Sequence, residues 1–168
     1  MGAPEVEEIQ LVELRPELID ALLIMWRESF EEAVGIVDWH PMEDQKRYLL
    51  SHVVPENDVR VALLGPSVVA FVAASQDWLN QLYVHRDFQR RGLGTRLLDW
   101  AKAQSSGRLL LYTFARNQRA CAFYERSGFE AIERGFEKEW QLEDVKYQWS
   151  AERVVASCPR LAGTHLPT

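Results

Sequence analysis

The sequence predicts an α/β (α+β) chain, a mixed sheet of about seven strands with helices on both faces. Two observations predict it. Segments with apolar residues every three or four positions alternate with short runs rich in Val, Leu and Phe, so helical and extended periods take turns. Glycine and proline stand at the joints, as in Gly65-Pro66, Gly92 and Gly128. Read in order, the elements run β-α-α-β-β-β-α-β-α-β-β.

The first strand falls at residues 9–14, ahead of Arg15-Pro16. Pro16 suits the first turn of a helix, where its missing N–H costs nothing. Leu18, Leu22, Trp26 and Phe30 recur every four residues with Ile19 and Leu23 beside them, which makes residues 16–34 an amphipathic helix. A shorter helix covers 43–51. The period then changes, and 59–64, 68–74 and 79–84 read as strands parted by Gly65-Pro66 and Gln76-Asp77, the first two as a hairpin. A helix starts at Gly92 and carries Leu93, Leu97, Trp100 and Ala101 along one face. Residues 109–114 are almost continuously apolar, which predicts a strand covered on both faces. Asn117 is suited to cap the next helix and Gly128 to end it. Strands at 129–136 and 145–149 close the pattern. Residues 1–150 then make one domain, and 151–168, with little pattern, read as a surface extension or part of a homodimer contact.

Composition narrows the function. With 47% apolar and 26% charged residues in 168, the chain can bury a core and is not broadly disordered. A formal charge of −6 disfavours nonspecific nucleic-acid binding and leans toward a cationic acceptor. The apolar runs, such as Leu109-Leu110-Leu111, are too short to span a bilayer, so no membrane role is expected. The acidic N-terminus lacks the basic-then-apolar order of a signal peptide, and Val6 stands where a myristoylation motif wants Ser or Thr. Only Cys121 and Cys158 occur, with no CxxC pair and no histidine at metal-ligand spacing. The expectation is a cytoplasmic protein without disulfide or metal.

The most informative segment is Leu82-Tyr83-Val84-His85-Arg86-Asp87-Phe88-Gln89-Arg90-Arg91-Gly92-Leu93-Gly94-Thr95. A strand runs through a turn directly into a helix with two glycines at its start. Glycine lets backbone N–H groups approach a ligand, and N–H groups left unpaired at a helix start attract phosphate oxygens. Arg86, Arg90, Arg91 and Arg96 face the single acid Asp87, a local +3 inside an acidic chain. A Walker A loop is excluded because no lysine precedes Thr95, and a dinucleotide fingerprint because Leu97 stands where it needs a third glycine.

Here the sequence resembles the GNAT superfamily of acyl-CoA N-acyltransferases. Gln89, Gly92 and Gly94 match its Gln/Arg-x-x-Gly-x-Gly/Ala signature, and the segment from Asn117 through Phe123-Tyr124 to Gly128-Phe129 looks like its Asn-x-x-Ala-x-x-Phe-Tyr-x-x-x-Gly-Phe block. The resemblance is specific over 68–136. It implies a mostly antiparallel GNAT-like sheet in which a splayed strand pair binds acetyl-CoA as co-substrate. It also implies roles. Backbone N–H groups of Arg90, Arg91, Gly92, Leu93, Gly94 and Thr95 would hold the pyrophosphate, with Gln89 shaping the turn. Leu82 and Val84 would offer main-chain groups to the pantetheine arm, Asn117 would touch it, and Tyr124 would face the thioester sulfur. Arg116, Arg119 and Arg126 read as solvated helix charges.

Amide formation from a thioester needs a neutral amine, a stabilised oxyanion and a proton for the leaving thiolate. Tyr124 and Asn117 are the catalytic candidates, and a strand N–H near Val84 is the oxyanion donor. Cys121 lies inside a helix and reads as packing. No base stands out. Asn80 and Gln81 do not titrate, Asp77 falls in a turn, and His85 reads as a turn residue. Glu28, Glu31, Glu32, Asp38 and His40 lie on or after the first helix, the Trp39-His40 pair foremost. The expected activity is transfer of an acetyl group to a primary amine of a small molecule or peptide by direct attack in a ternary complex. The competing reading is a catalytically weak acyl-CoA-binding sensor or scaffold.

Overall fold

The computed structural model describes residues 8–151. Strand β1 (Gln10–Glu13) leads through a 3-10 turn at Pro16–Leu18 into helix α1 (Ile19–Val34), which Gly35 ends at φ +75°. Helix α2 (Met42–Tyr48) does not stop near residue 51 as expected. It widens into a π turn at Leu49–Val53 and adds a last turn, Val54–Glu56. Leu49 and Val53 are buried, so the apolar stripe draws the helix on, and the wide turn relieves the clash that Pro55 would make with the preceding carbonyls.

Strands β2 (Asp58–Leu64), β3 (Ser67–Ala74) and β4 (Leu79–Val84) follow within a residue of their expected bounds. Gly65, at φ +57°, and Pro66 form the two-residue turn of the β2–β3 hairpin, with glycine first as strand twist requires. Helix α3 (Leu93–Gln104), strand β5 (Arg108–Phe114), helix α4 (Gln118–Arg126) and strands β6 (Glu130–Glu137) and β7 (Leu142–Ser150) complete the chain.

The seven strands form two hydrogen-bonded sheets, β1-β2-β3-β4 and β5-β7-β6, with antiparallel ladders throughout. A parallel bridge, Trp78 to Leu110, joins them where the Leu110 N–H donates to the Asp77 carbonyl at 2.8 Å. Period-two alternation divides the core. Val61 and Phe71 face α1 and α2, whose Leu22, Leu23 and Leu49 they meet; Ala70 and Val72 face α3 and α4, among Leu97, Leu98 and Tyr124. The expected face of α3 holds for Leu93, Leu97 and Ala101, while Trp100 is half-buried under the Arg60 guanidinium.

β5 is covered on both faces only over Leu109, Leu110 and Leu111. Tyr112 is 55% exposed, so the apolar run there marks a cavity wall, not a core strand. The extension expected at 151–168 lies, apart from Ala151, outside the described residues. Among the described residues no helix is long and apolar enough to cross a membrane, and no group of three or more His, Cys, Asp or Glu is placed to hold a metal ion.

Candidate active site

The turn between β4 and α3 is built from main chain. Arg90 (φ 63°) and Gly92 (φ 78°) both adopt left-handed backbone, which a glycine takes freely and an arginine takes under strain. Gly92 stands as the N-cap of α3 without a side-chain cap, and the Arg96 N–H is the first to find a helical partner, the Gly92 carbonyl at 3.0 Å. The backbone N–H groups of residues 90–95 have no partner among the described residues. Six consecutive free donors at the start of a twelve-residue helix are an arrangement that favours a negatively charged ligand. Gly94 serves packing as well: a Cβ there would lie 3.5 Å from Phe123 of α4 and 3.9 Å from Val84.

Gln89 locks this turn from both ends of its amide. Its Nε2 donates to the Val84 carbonyl at 2.9 Å, and its Oε1 accepts from Arg119 Nη1 at 2.7 Å. Arg119 also reaches Glu32 at 3.4 Å, so it ties α4 to the turn and to α1 where the sequence suggested a solvated charge. Its place in the first turn of α4, two residues past the cap, is the only local signal that could have found it. His85 behaves as a turn residue, its Nδ1 accepting from the Asp87 N–H at 3.3 Å.

The open edge of β4 follows from ladder alternation. The His85 N–H donates to Val69, so with residue 85 facing 69 the alternate residues Tyr83 and Gln81 turn toward β3. Leu82 and Val84 therefore direct their N–H and C=O groups away from β3. On that side lies β5, and beyond the Trp78–Leu110 bridge no ladder joins the two strands.

A cavity of about 680 Å³ fills the gap, with Leu79, Asn80, Gln81, Leu82 and Tyr83 on one wall and Leu111, Tyr112, Thr113 and Phe114 on the other. Asn117 and Tyr124 of α4 line it together, as a seven-residue, two-turn spacing requires. Asn117 also caps α4, its Oδ1 accepting from the Ala120 N–H at 3.1 Å. The Tyr124 ring packs edge-on against Phe123 and Phe129, with centroids 5.2 and 5.5 Å away. Tyr124 is 7% exposed, and its hydroxyl has no partner among the described residues yet is not sealed off, so it opens on the cavity. Burial, then the neighbouring Tyr83 and Cys121, push that phenol above its ordinary range, and it stays protonated at any working pH. Tyr83, half-buried against Trp26 and Phe71, is pushed up to about 12 by burial.

At the far end of the cavity stand Asp38 and His40, which the sequence offered as candidate bases, together with acidic and aromatic residues of α2 and the β6–β7 turn that it did not single out. Trp26, Phe30, Tyr48 and Trp140 wall this end, and Asp38, Asp44, Glu137 and Glu139 rim it with His40. His40 Nδ1 sits 2.8 Å from Asp38 and Nε2 2.7 Å from Glu139, with Trp39 stacked on the ring at 3.8 Å. Burial alone would lower its pKa, but the hydrogen bonds and charges of both carboxylates outweigh that and raise it. A ring with both nitrogens engaged and its proton stabilised is a poor free base. Glu28 pairs with His85, Glu31 accepts from the Asp38 N–H, and Glu32 pairs with Arg119; none of the three lines the cavity. Asp77 bonds to the Ser106 hydroxyl in its turn, and Cys121 packs half-buried in the core.

Comparison with known proteins gives these features a family. The model of the acetyltransferase (GNAT) family matches residues 13–129. No curated protein matches the chain. Among solved structures it is similar to an acetyltransferase from Thermus thermophilus, at 24% identity and a TM-score of 0.69 over 84% of this chain and 96% of that one. A GNAT-family acetyltransferase from Staphylococcus aureus Mu50 gives 18% identity and 0.70, covering 86% and 99%. PaiA N-acetyltransferase from Thermoplasma acidophilum, solved in complex with coenzyme A, gives 19% and 0.68, covering 85% and 99%.

Proposed function

The chain belongs to the acetyltransferase (GNAT) family, and from that premise we propose that residues 1–150 form one domain that transfers an acetyl group from acetyl-CoA to a primary amine of a small molecule or peptide. The observation that carries this reading is the run of unpaired N–H groups at residues 90–95, beside the open edge of β4 and the cavity. Arg90, Arg91, Gly92, Leu93, Gly94 and Thr95 hold the pyrophosphate through main-chain N–H groups, and Gln89 keeps the turn in shape through Val84 and Arg119. The pantetheine arm lies along β4 and takes the outward main-chain groups of Leu82 and the N–H of Val84, whose carbonyl Gln89 holds, much as an added strand would. The Asn117 amide, its oxygen engaged by the helix cap, offers its NH₂ to that arm.

A neutral amine attacks the thioester carbonyl carbon; a C–N bond forms and the C–S bond breaks. The oxyanion gathers at a main-chain N–H of β4 near Val84. Tyr124, which its raised pKa keeps protonated, hydrogen-bonds to the departing sulfur and passes it a proton as charge builds there, and the phenol is restored by the proton that the attacking nitrogen releases through solvent. Both ring nitrogens of His40 are engaged, by Asp38 and by Glu139, so the amine's proton leaves through solvent.

Release of free thiol from acetyl-CoA, followed against a panel of primary amines, amino acids and peptides, tests the reading. Turnover above background hydrolysis with at least one amine is expected. Saturable acetyl-CoA binding with no turnover on any acceptor would instead favour an acyl-CoA sensor or scaffold, which the non-titrating, mutually bonded Asn80 and Gln81 in the cavity wall would suit.

A further inference from the structure

The ionisable groups lining the cavity are unbalanced. Among the described residues Asp38, Asp44, Glu137 and Glu139 line it against the single imidazole of His40, and no Lys or Arg does. Three of these acids have cationic partners. Asp38 has His40 at 2.8 Å and Arg27 at 3.8 Å, Glu139 has His40 at 2.7 Å, and Asp44 has Arg47 at 3.1 Å. Glu137 has none among the described residues; its carboxylate accepts only the Trp140 N–H, at 2.7 Å. Beside it an aromatic wall runs from Phe114 through Phe30 to Trp140, with centroids 6.3 and 5.0 Å apart, a surface that takes methylenes and favours a cation over a ring face. At the other end the hydroxyl of Tyr124, a residue 7% exposed, points into the same space with no partner among the described residues.

These two ends make opposite demands on an amine. The attacking nitrogen must be neutral, whereas carboxylates stabilise an ammonium and raise its pKa. A monoamine drawn to Glu137 would be held in its unreactive form and away from Tyr124. We infer that the acceptor is a dicationic alkyl amine: a second, charged amino group seats at Glu137, its methylenes lie on the Phe30–Trp140 wall, and the free amino group reaches the Tyr124 end and is acetylated. This inference rests on the acetyl-transfer reading above. An acceptor bearing a free carboxylate is repelled by the same rim.

Three probes with one pentyl chain test it: cadaverine, with an amino group at each end; pentylamine, with a methyl; and aminovalerate, with a carboxylate. KM for cadaverine should be at least about tenfold below that for pentylamine, a difference of about one charge-assisted contact, with aminovalerate poorer still. Glu137→Gln should raise the cadaverine KM by about tenfold and move the pentylamine KM far less. Equal KM for cadaverine and pentylamine, or a preference for aminovalerate, would overturn the inference. Calorimetry separates the two levels. Acetyl-CoA that fails to bind defeats the acetyl-transfer reading, while cadaverine titrated into the ligand-free protein still reports on the acceptor end. Cadaverine binding that exceeds pentylamine binding and weakens in Glu137→Gln upholds the inference, and its absence refutes it.

Discussion

The two ends of the cavity are made of different material. At the α3 end the groups that face a ligand are main-chain N–H donors of residues 90–95, set by the left-handed backbone of Arg90 and Gly92 and by the direction of the β4 ladder. At the far end they are side chains from four separate places: α1, the segment around Asp38 and His40, α2, and the turn between β6 and β7. A backbone site hardly depends on which side chains decorate it, but fails if its one permissive residue loses its conformation. A side-chain site can be retuned one residue at a time, so a single scaffold can keep its co-substrate and exchange its acceptor. Perturbing one end should therefore leave the other intact.

The largest effect is expected where the ends meet. Tyr124→Phe keeps the ring contacts with Phe123 and Phe129 and removes only a hydroxyl without a partner among the described residues. Steady-state kinetics should show kcat falling on the order of 10–100-fold, the lower range of general-acid contributions because a thiolate leaves readily. Acetyl-CoA affinity and melting temperature should hardly change. Full kcat with chemistry rate-limiting would remove the tyrosine from the acid's role.

Next is Gly92→Val. A Cβ at Gly92 meets no protein atom within 4 Å, so any loss comes from the left-handed backbone (φ 78°), which costs a side chain about 1–2 kcal/mol, and from crowding the ligand. Acetyl-CoA affinity by calorimetry should fall at least about tenfold. Cadaverine binding should not move; if both fall together, the ends are not independent.

Gln89→Leu is a smaller test of how the α3 end is braced. It cuts the bonds to Val84 and Arg119, each worth about 0.5–1.5 kcal/mol, and a modest drop in melting temperature with several-fold weaker acetyl-CoA binding is expected.

The smallest effect concerns the far end. His40 has a raised pKa in the folded protein, so the stability from its ion pairs is complete below its ordinary pKa of about 6.5 and is lost as pH rises through the folded value. Denaturant unfolding should therefore show His40→Gln losing most stability in acid and little in alkali. A deficit that grew with pH would reverse the sign assigned to that contact.

The same division explains what could be read beforehand. Gly92, Asn117 and Gly128 act through their own backbone or a neighbour three residues away, so local sequence states their roles: Gly92 is left-handed, Asn117 caps at Ala120, and Gly128 takes φ +92° past the helix end. The stripe of Leu18, Leu22, Trp26 and Phe30 is buried as its period requires. The clamp on His40 needs Glu139, 99 residues on, and the Gln89–Arg119 bond spans 30; no spacing rule reaches that far. Tyr112 and Phe114 look like core because apolar runs do not tell a packed neighbour from an apolar cavity. The π turn at Leu49–Val53 escaped because Pro55 normally forecasts an ending, not a widened helix.

The central claim, that residues 90–95 and the open edge of β4 form an acyl-CoA site, is tested most directly by titrating wild-type protein with acetyl-CoA and, separately, with ATP at the same salt concentration. The account predicts saturable, stoichiometric acetyl-CoA binding that raises the melting temperature by mass action, with ATP at least about tenfold weaker for want of the pantetheine arm. Equal affinities and equal melting shifts for the two would show a simple phosphate site and contradict it.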